Sequence, residues 1–221
     1  MALVEFRDES AGYNGRTVLS GITLRIEEGE RIALVGESGA GKSTLLRLIY
    51  ERCRDDSALV PQELGLVQAL TVFHNVYMGR LHRCAVWHNL RNLLWPARAD
   101  VDAVRNVLVR LRLEDKLFAP VGTLSGGQQQ RTAVARALYH PGNVFIADEP
   151  VSSVDEHQAR EILDTTSAAK RTVILAMHDR SLAIRCTDRL IGLKGGRIVL
   201  NERSSGIRPT DLDHLYRASM Q

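Results

Sequence analysis

The chain has few cysteines and no long apolar run, and both absences narrow the classes of protein to which it can belong. Its 221 residues include three cysteines, Cys53, Cys84 and Cys186, with no close pair and no metal-ligand spacing. They indicate reduced thiols in a cytoplasmic protein. The amino terminus lacks the charged and then apolar pattern of a signal peptide. The longest uncharged apolar runs, such as residues 172–177, fall far short of the roughly 20 residues that a membrane span needs. We therefore expect membrane contact, if any, only through a partner.

Positive and negative charges are nearly balanced, so neither sign is in large excess. The formal net charge is +3, which is too small to indicate nucleic-acid binding by itself, and we expect no nucleic-acid partner. A composition of 44% hydrophobic and 25% charged residues is typical of one globular domain. The segment 80–112 differs, because it holds seven arginines against Asp100 and Asp102. A solvated helical face and a docking surface both fit this segment.

Short apolar runs alternate with helical patterns along most of the chain. Residues 18–27, 31–35, 58–60, 143–147 and 172–177 are predicted strands, and 42–50 is a predicted helix. Asn14 and Gly15 predict a turn, and Gly195–Gly196 predict a hairpin. Residues 71–117 have several helical signals and few strand signals, which favours a helical subdomain. Continuous apolar runs suit a parallel sheet covered on both faces, so the fold class is α/β.

One helix of that subdomain carries tryptophans. Trp87, Leu90, Leu94 and Trp95 fall near one face of a predicted helix, which Pro96 ends. These side chains are interpreted as subdomain core or as an interface rather than as a ligand cage. A short helix is predicted after Pro209.

Residues 36–43 form a complete phosphate-binding loop motif, G-x-x-x-x-G-K-[ST]. Backbone N–H groups must converge on phosphate oxygens, so Gly39 and Gly41 allow the loop to wrap closely. Lys42 supplies a positive charge to the β- and γ-phosphates, and Ser43 offers a hydroxyl to Mg²⁺. The helix that begins there directs the positive end of its dipole at the anion. This motif indicates a nucleotide site but is shared by kinases, GTPases and ATPases.

A second glycine-rich loop precedes a helix at Leu124-Ser125-Gly126-Gly127-Gln128. One chain needs one phosphate loop for one nucleotide. A second anion site is explained if it closes over a nucleotide held by another subunit. This stretch resembles the signature sequence of the ATP-binding cassette (ABC) family.

The other motifs of that family occur in the family's order. Residues 143–149 resemble the Walker B strand with its acidic end, and 152–155 resemble the D-loop, with Val154 where the family has leucine. Gln62 lies where the Q-loop glutamine is expected, His178 where the switch histidine is expected, and Tyr13 where an aromatic ring packs on adenine. From the residues alone, Asp148 and Glu149 also fit a solvated pair, His178 a structural histidine and Tyr13 a core residue.

The resemblance implies a P-loop NTPase (RecA-like) core, a small antiparallel β-subdomain and an α-helical subdomain. It places part of the antiparallel β-subdomain at 1–30, the core at 31–70 and 131–221, and the helical subdomain with the signature at 71–130. The implied cofactors are ATP and Mg²⁺. The implied catalytic residues are Lys42, Glu149 and His178, and the implied metal ligands are Ser43, Gln62 and Asp148. The implied nucleotide-binding set is Tyr13, Gly36, Ser38, Gly39, Ala40, Gly41, Lys42, Ser43, Thr44, Gln62, Ser125, Gly126, Gly127 and Gln128.

A finer resemblance is to the ATPases of phosphonate importers. It rests on residues 71–81, on the basic insert 87–96 with its tryptophans, and on 124–131. It implies a homodimeric, transport-coupled Mg-ATPase that works with membrane permease subunits and a substrate-binding protein. Such a subunit is cytoplasmic and peripheral at the inner face of the membrane. A soluble ABC ATPase that serves an enzyme complex, such as one for phosphonate breakdown, and an exporter ATPase are the alternatives.

The connection between the phosphate loop and the Q-loop is short. Gln62 follows Lys42 by 20 positions, about half the spacing usual in the family. The missing residues normally form a hairpin beside the adenine. The shortening is either harmless loop trimming, or it leaves a smaller adenine-side sheet with weaker base discrimination or altered dimer closure.

Overall fold

The computed structural model describes residues 1–13 and 15–216. Two sheets hold the strands of these residues. A six-stranded sheet has the order β4-β5-β6-β3-β7-β8, and a separate antiparallel pair consists of β1 and β2. In chain order the strands are β1 (Ala2–Tyr13), β2 (Arg16–Glu27), β3 (Arg31–Val35), β4 (Ser57–Val60), β5 (Val144–Asp148), β6 (Thr172–Ala176), β7 (Arg189–Lys194) and β8 (Arg197–Arg203).

The large sheet is parallel from β4 to β7 and ends in the antiparallel hairpin of β7 and β8. Every residue of β5 and β6 is buried, which explains their unbroken apolar sequences. Alternate side chains enter two cores, so Phe145 and Val173 join the core on one face while Ile146 and Ile174 join the core on the other. The predicted α/β class with a parallel sheet is therefore confirmed.

Helices cover both faces of the large sheet. They are α1 (Lys42–Arg52), α2 (Val72–Tyr77), α3 (Val86–Leu94), α4 (Arg98–Arg110), α5 (Gly126–Tyr139), α6 (Glu156–Ala169) and α7 (Arg180–Cys186). The side chains of α1 join the core under β1 and β2, whereas α2, α4, α5 and α6 contribute to the opposite core. Among residues 1–13 and 15–216, no helix combines the length and the apolar composition needed to cross a bilayer.

The small sheet is held to the large domain through the end of α1. Arg52 donates to both oxygens of Glu9, at 2.8 and 2.7 Å, and its guanidinium lies over the ring of Phe6, 5.1 Å from the centroid. On the other side, the Ser20 N–H donates to the carbonyl of Gly196 in the β7–β8 turn at 2.9 Å. Strand β1 is not predicted by the sequence pattern. Of the predicted turn, Gly15 is described with a φ of 75°, whereas Asn14 lies outside the described residues.

The short connection after α1 is packed against the loop that precedes β5. A single 3₁₀ turn, Arg54–Asp56, joins α1 to β4. The Asp56 carboxylate accepts from the Asn143 N–H at 3.0 Å, and a Cβ on Gly142 would lie 2.3 Å from the Asp56 carbonyl oxygen. Within the described residues the small sheet has two strands. Harmless loop trimming and a smaller adenine-side sheet both stay hypotheses for the short connection. Its effect on base discrimination stays a prediction.

Most predicted elements are found within a few residues of their expected bounds. The hairpin lies at Gly195 and Gly196, and residues Pro209–Leu215 form a 3₁₀ helix. The tryptophan-bearing helix ends at Leu94, just before Pro96. The interpretation of its apolar side chains as subdomain core is wrong, because Trp87, Leu90, Leu94 and Trp95 are exposed. The interface interpretation remains.

Asn75 of α2 fixes the loop that leads into the helical region. Its side chain is fully buried; Oδ1 accepts from the Val67 N–H at 2.8 Å, and Nδ2 donates to the carbonyls of Val67 and Thr71 at 3.1 and 3.0 Å. Removing the amide leaves buried backbone groups without partners, which costs more than the bonds themselves contribute.

We therefore expect Asn75→Ala to lower the free energy of unfolding by about 2–3 kcal/mol in a urea titration. Asn106→Ala is the matched control, because Asn106 is exposed on α4 and its replacement should change stability by less than about 0.5 kcal/mol. Equal midpoints for the two variants would contradict this account of the loop.

Candidate nucleotide-binding site

The phosphate loop lies where β3 ends and α1 begins. Gly36, Gly39 and Gly41 have φ values of 143°, 80° and 102°, a region that residues with a side chain avoid. A Cβ on Gly36 would lie 2.3 Å from the Leu193 carbonyl oxygen, and one on Gly41 would lie 2.6 Å from Leu19 Cδ2. Both glycines are therefore required by conformation and by space. Of the other predicted loop residues, Ala40 and Thr44 are buried, whereas Ser38 and Ser43 are exposed.

Lys42 is folded into its own loop. Its ammonium donates to the carbonyls of Gly36 and Glu37 at 2.8 and 2.9 Å, and the residue is 6% exposed. Burial lowers its pKa, and the nearby charges of Glu149, Asp148 and Glu37 oppose that shift. Gly41 caps α1 without a side-chain bond, so the first N–H groups of the helix point into the same loop. The loop therefore gathers positive charge and free donors, as an anion site requires.

The three predicted metal ligands lie around one cavity. Ser43, Gln62 and Asp148 line a space of about 480 Å³ beside α1. Asp148 is the last residue of the buried strand β5, whereas Ser43 and Gln62 are exposed. A hydroxyl, an amide and a carboxylate are oxygen donors of the kind that Mg²⁺ prefers. Within the described part of the chain, no group of three or more His, Cys, Asp or Glu side chains could hold a metal. The three oxygen donors of Ser43, Gln62 and Asp148 fit an ion that keeps phosphate oxygens among its ligands, as Mg²⁺ does in nucleotide sites.

Glu149 and His178 meet where neighbouring strands end. Glu149 directly follows β5, His178 follows β6, and the two strands are paired through Asp148 and Ala176. His178 Nε2 lies 2.7 Å from Glu149 Oε1. Glu149 has a φ of 55°, which costs a non-glycine residue on the order of 1–2 kcal/mol. Its N–H donates to the Ala176 carbonyl at 3.0 Å, and both side chains line a cavity of about 340 Å³. The predicted catalytic residue Glu149 and the predicted switch histidine His178 are therefore in direct contact.

The signature loop forms the cap of α5. Ser125 is the N-cap residue; its hydroxyl accepts from the Gln128 N–H at 3.4 Å, while Gln128 Oε1 accepts from the Ser125 N–H at 3.0 Å. A Cβ on Gly127 would lie 3.1 Å from the Ser153 carbonyl oxygen, and one on Gly126 would be 3.9 Å from Ser153 Cβ. The signature loop therefore packs against the D-loop of its own chain.

Tyr13 lies at the end of β1 and is 46% exposed, so the core interpretation of this residue is wrong. The Arg47 guanidinium of α1 lies 5.6 Å from the centroid of its ring. The ring is thus an exposed aromatic surface beside the helix that follows the phosphate loop.

Two polar residues of α5 were missed by the sequence motifs. Gln130 is 3% exposed, and its Nε2 donates to the Glu149 carbonyl at 2.8 Å and to Ser152 Oγ at 3.2 Å. Its Oε1 accepts from the Ser153 N–H at 3.0 Å. Arg136 donates to the carbonyls of Leu64 and Gly65, at 2.6 and 2.7 Å, just after Gln62. Gln130 and Arg136 follow Gly127, the last glycine of the signature, by three and nine residues. This spacing places them on the same helix but does not reveal their distant partners.

A third missed residue lies near the end of the described chain. The Gly36 N–H donates to the hydroxyl of Tyr216 at 3.2 Å, and the Arg180 guanidinium lies 4.1 Å from the centroid of the Tyr216 ring. Tyr216 follows the 3₁₀ helix Pro209–Leu215, so this segment supports the first glycine of the phosphate loop. No sequence motif in the phosphate loop indicates this contact with Tyr216.

A glycine-rich loop between a parallel strand and a helix, with acidic residues at the end of another strand of the same sheet, defines a P-loop nucleotide-binding protein of the α/β class. The profile of the ABC transporter family matches residues 19–152. The chain belongs to the ABC transporter family and is one of its ATP-binding and ATP-hydrolysing subunits, which confirms the resemblance drawn from the motifs.

Relatives of this chain are similar over nearly its whole length. It is 32% identical over 247 residues to the phosphonates import ATP-binding protein PhnC 1 of Cupriavidus metallidurans, with 96% of this chain and 86% of that protein covered. It is 35% identical over 227 residues to the phosphonates import ATP-binding protein PhnC of Pseudomonas putida, with 90% and 84% covered.

Solved cassettes have the same fold. A bacterial ABC transporter cassette in a dimeric structure matches with a TM-score of 0.78 at 25% identity, over 92% of this chain and 99% of that chain. The protein cbiO1 from Clostridium perfringens, part of the ABC transporter complex cbiONQ, matches with a TM-score of 0.72 at 25% identity, over 92% and 89%. The fold class expected from the resemblance, a P-loop core with two subdomains, is therefore confirmed.

The contacts of Gln130 give a prediction for catalysis. In Gln130→Ala, the Glu149 carbonyl and the Ser153 N–H lose a buried partner, so the strained backbone at Glu149 is no longer held. We expect kcat for ATP to fall by about tenfold or more, equivalent to about 1.4 kcal/mol of barrier, with little change in KM.

Gln129→Ala is the control, since Gln129 is only half-buried and donates to one carbonyl, that of Leu124, at 3.1 Å. Steady-state kinetics compare kcat of the two variants, and thermal unfolding checks that both are folded. A kcat of Gln130→Ala equal to that of the control would rule out the supporting role.

Proposed function

We propose that this chain is the ATPase subunit of an importer for phosphonate or a related oxyanion, and that it acts as a homodimer with two active sites. The observation that carries the ATPase part is the 2.7 Å contact between Glu149 and His178 at the ends of β5 and β6, of which β6 pairs directly with β3, the phosphate-loop strand. The importer part is supported by the relatives that carry the name phosphonates import ATP-binding protein PhnC.

We propose the following roles in hydrolysis. A water molecule attacks the γ-phosphorus in line with the bond to the β,γ-bridging oxygen, and that bond breaks to release ADP. Glu149 orients the water and accepts its proton, while His178 holds Glu149 and contacts the γ-phosphate. Lys42 and the N–H groups of residues 38–44 neutralise the charge on the β- and γ-phosphates. The adenine packs against Tyr13.

Mg²⁺ would be held by Ser43, by Gln62 and, through water, by Asp148, and when bound it neutralises charge between the β- and γ-phosphates. The oxygen donors around the 480 Å³ cavity support this proposal. Gln62 is exposed at the rim, where it would also contact a partner.

The second half of each site is proposed to come from the other copy. Ser125, Gly126, Gly127 and Gln128 of one copy would face the γ-phosphate held by the other. A helix N-terminus with two glycines offers N–H donors where negative charge accumulates during the reaction. The dimeric structure of a related cassette supports the proposal of a dimer.

The proposed organisation follows the family pattern. Part of the small β-subdomain is formed by 1–30, the core by 31–70 and 131–221, and the helical subdomain by 71–130. As an importer subunit the chain would be cytoplasmic and peripheral at the inner face of the membrane, and would bind permease subunits that work with a substrate-binding protein.

Replacing the base separates ATP binding from turnover. We expect Glu149→Gln to retain ATP binding, to trap a dimer visible by size-exclusion chromatography, and to reduce turnover by a factor on the order of 10³, about 4 kcal/mol of barrier. Glu156→Gln is the control, because Glu156 is an exposed residue in the first turn of α6 that pairs with Arg185 and Arg160. Unchanged turnover in Glu149→Gln would remove its assignment as the base.

The importer assignment is tested by co-purification. Tagged wild-type chain from detergent-solubilised membranes should bring down permease subunits, and the associated binding protein should bind phosphonates in a ligand screen. Recovery with soluble enzyme subunits and no permease would favour the accessory ATPase instead. Recovery with a permease that lacks a binding protein would favour an exporter.

A further inference from the structure

Helix α3 is attached to the protein by its polar side and turns its apolar side outward. Tyr77 Oη donates to Asn89 Oδ1 at 2.9 Å, and Asn89 Nδ2 donates to the Leu81 carbonyl at 3.0 Å. Asn92 is 1% exposed; its Nδ2 donates to Asp100 Oδ2 at 2.8 Å and its Oδ1 accepts from the Ala97 N–H at 2.7 Å. The face that contacts the protein is therefore held by hydrogen bonds.

The opposite face is made of large apolar side chains. Five of them are between 63% and 83% exposed: Val86, Trp87, Leu90, Leu94 and Trp95. A surface helix of a globular protein normally has the reverse arrangement, with its apolar stripe on the core. Because the polar residues are occupied in holding the helix, this orientation is built into the sequence and is not a failure of packing.

The charge around this face has one sign. Residues 64–99 contain no aspartate or glutamate, whereas Arg83, Arg91 and Arg98 lie before, within and after α3, and all three are exposed. Asp100, the first acid to follow, points back towards Asn92 and His88. Arg98 forms an ion pair with Asp102 of α4, at 3.9 Å, so Arg83 and Arg91 are the main cations beside the apolar face, and α3 itself holds no acid.

We propose that α3 is a membrane-surface helix that inserts its apolar face into the headgroup region of a bilayer containing anionic phospholipids. Nine residues are too few to span a bilayer but suit a helix lying in its plane. Tryptophans near both ends, Trp87 and Trp95, are the residues preferred at the boundary between hydrocarbon and water. The arginines match the negative potential of an anionic leaflet, and this complementarity favours lipid over an apolar segment of a protein.

The contact would be direct, whereas a transport subunit is otherwise expected to reach the membrane through its permease. The inference rests on α3 alone and does not depend on the proposed transport substrate. ATP turnover measured without lipid therefore distinguishes a failure of this inference from a failure of the proposed ATPase mechanism.

The two tryptophans of the chain are both in this segment, so the wild-type protein carries its own reporter. Vesicles of phosphatidylcholine mixed with phosphatidylglycerol should shift the tryptophan emission to shorter wavelength and carry the protein upwards in a flotation gradient. We expect binding about tenfold or more stronger than to phosphatidylcholine alone, and weaker at high salt.

Two double variants separate the apolar and the charged contributions. Leu90→Ser with Leu94→Ser should abolish the emission shift and the flotation, while Arg83→Glu with Arg91→Glu should remove the preference for anionic vesicles. Val109→Ser with Val199→Ser is the matched control, because these valines are 52% and 49% exposed elsewhere on the surface. Thermal unfolding of each variant verifies folding, and all the replaced side chains are exposed.

An unchanged emission spectrum with anionic vesicles, or equal flotation of the leucine variant and the control, would overturn the proposal. An emission shift that requires solubilised membrane proteins and never occurs with lipid alone would overturn it in favour of a protein partner.

Discussion

The side-chain amide of Gln130 connects the helix that follows the signature with the residues at the end of β5. It reaches from α5 to the carbonyl of Glu149 and to the D-loop residues Ser152 and Ser153, and it is almost completely buried. A side-chain amide has both donor N–H groups and an acceptor oxygen in one plane, so it can pair with a carbonyl and an N–H at once. Glu149, whose carbonyl it binds, has a left-handed backbone, and its carboxylate contacts His178.

Helix α5 consequently links three regions that are distant in sequence. Its first turn carries the signature, Gln130 binds the end of β5, and Arg136 binds the carbonyls that follow Gln62. Burial lowers the pKa of Arg136, and the guanidinium is held by carbonyl oxygens, which fix its geometry without adding a charge to the site. One helix therefore contacts the residues that follow Gln62, carries the signature at its first turn and binds the carbonyl of Glu149.

Much of the fold could be predicted because its signals are local. The apolar runs of β5 and β6 and the glycines of the phosphate loop are contiguous in sequence. Strand β1 was missed because its inward residues alternate irregularly: its pairing with β2 shifts register at several points. The contacts of Gln130, Arg136 and Tyr216 could not be predicted, because each joins residues far apart in sequence and no periodicity encodes them.

The placement of Trp87 and Trp95 illustrates a different limit. Their spacing identified one face of a helix correctly, but periodicity does not reveal which face contacts the protein. That is decided by the polar partners of Asn89 and Asn92, namely Tyr77 and Asp100, which lie on neighbouring elements. The same hydrophobic pattern thus fits a core helix and an outward-facing one.

The position of β3 at the centre of the large sheet has a consequence for synthesis on the ribosome. Its two neighbours, β6 (Thr172–Ala176) and β7 (Arg189–Lys194), are made long after it, and the turn at Gly196 that holds β2 is later still. The strand that carries the phosphate loop therefore leaves the ribosome long before any strand that can pair with it. Until then its apolar residues depend on transient burial or on chaperones, and the nucleotide site forms only after β6 and β7 have been made.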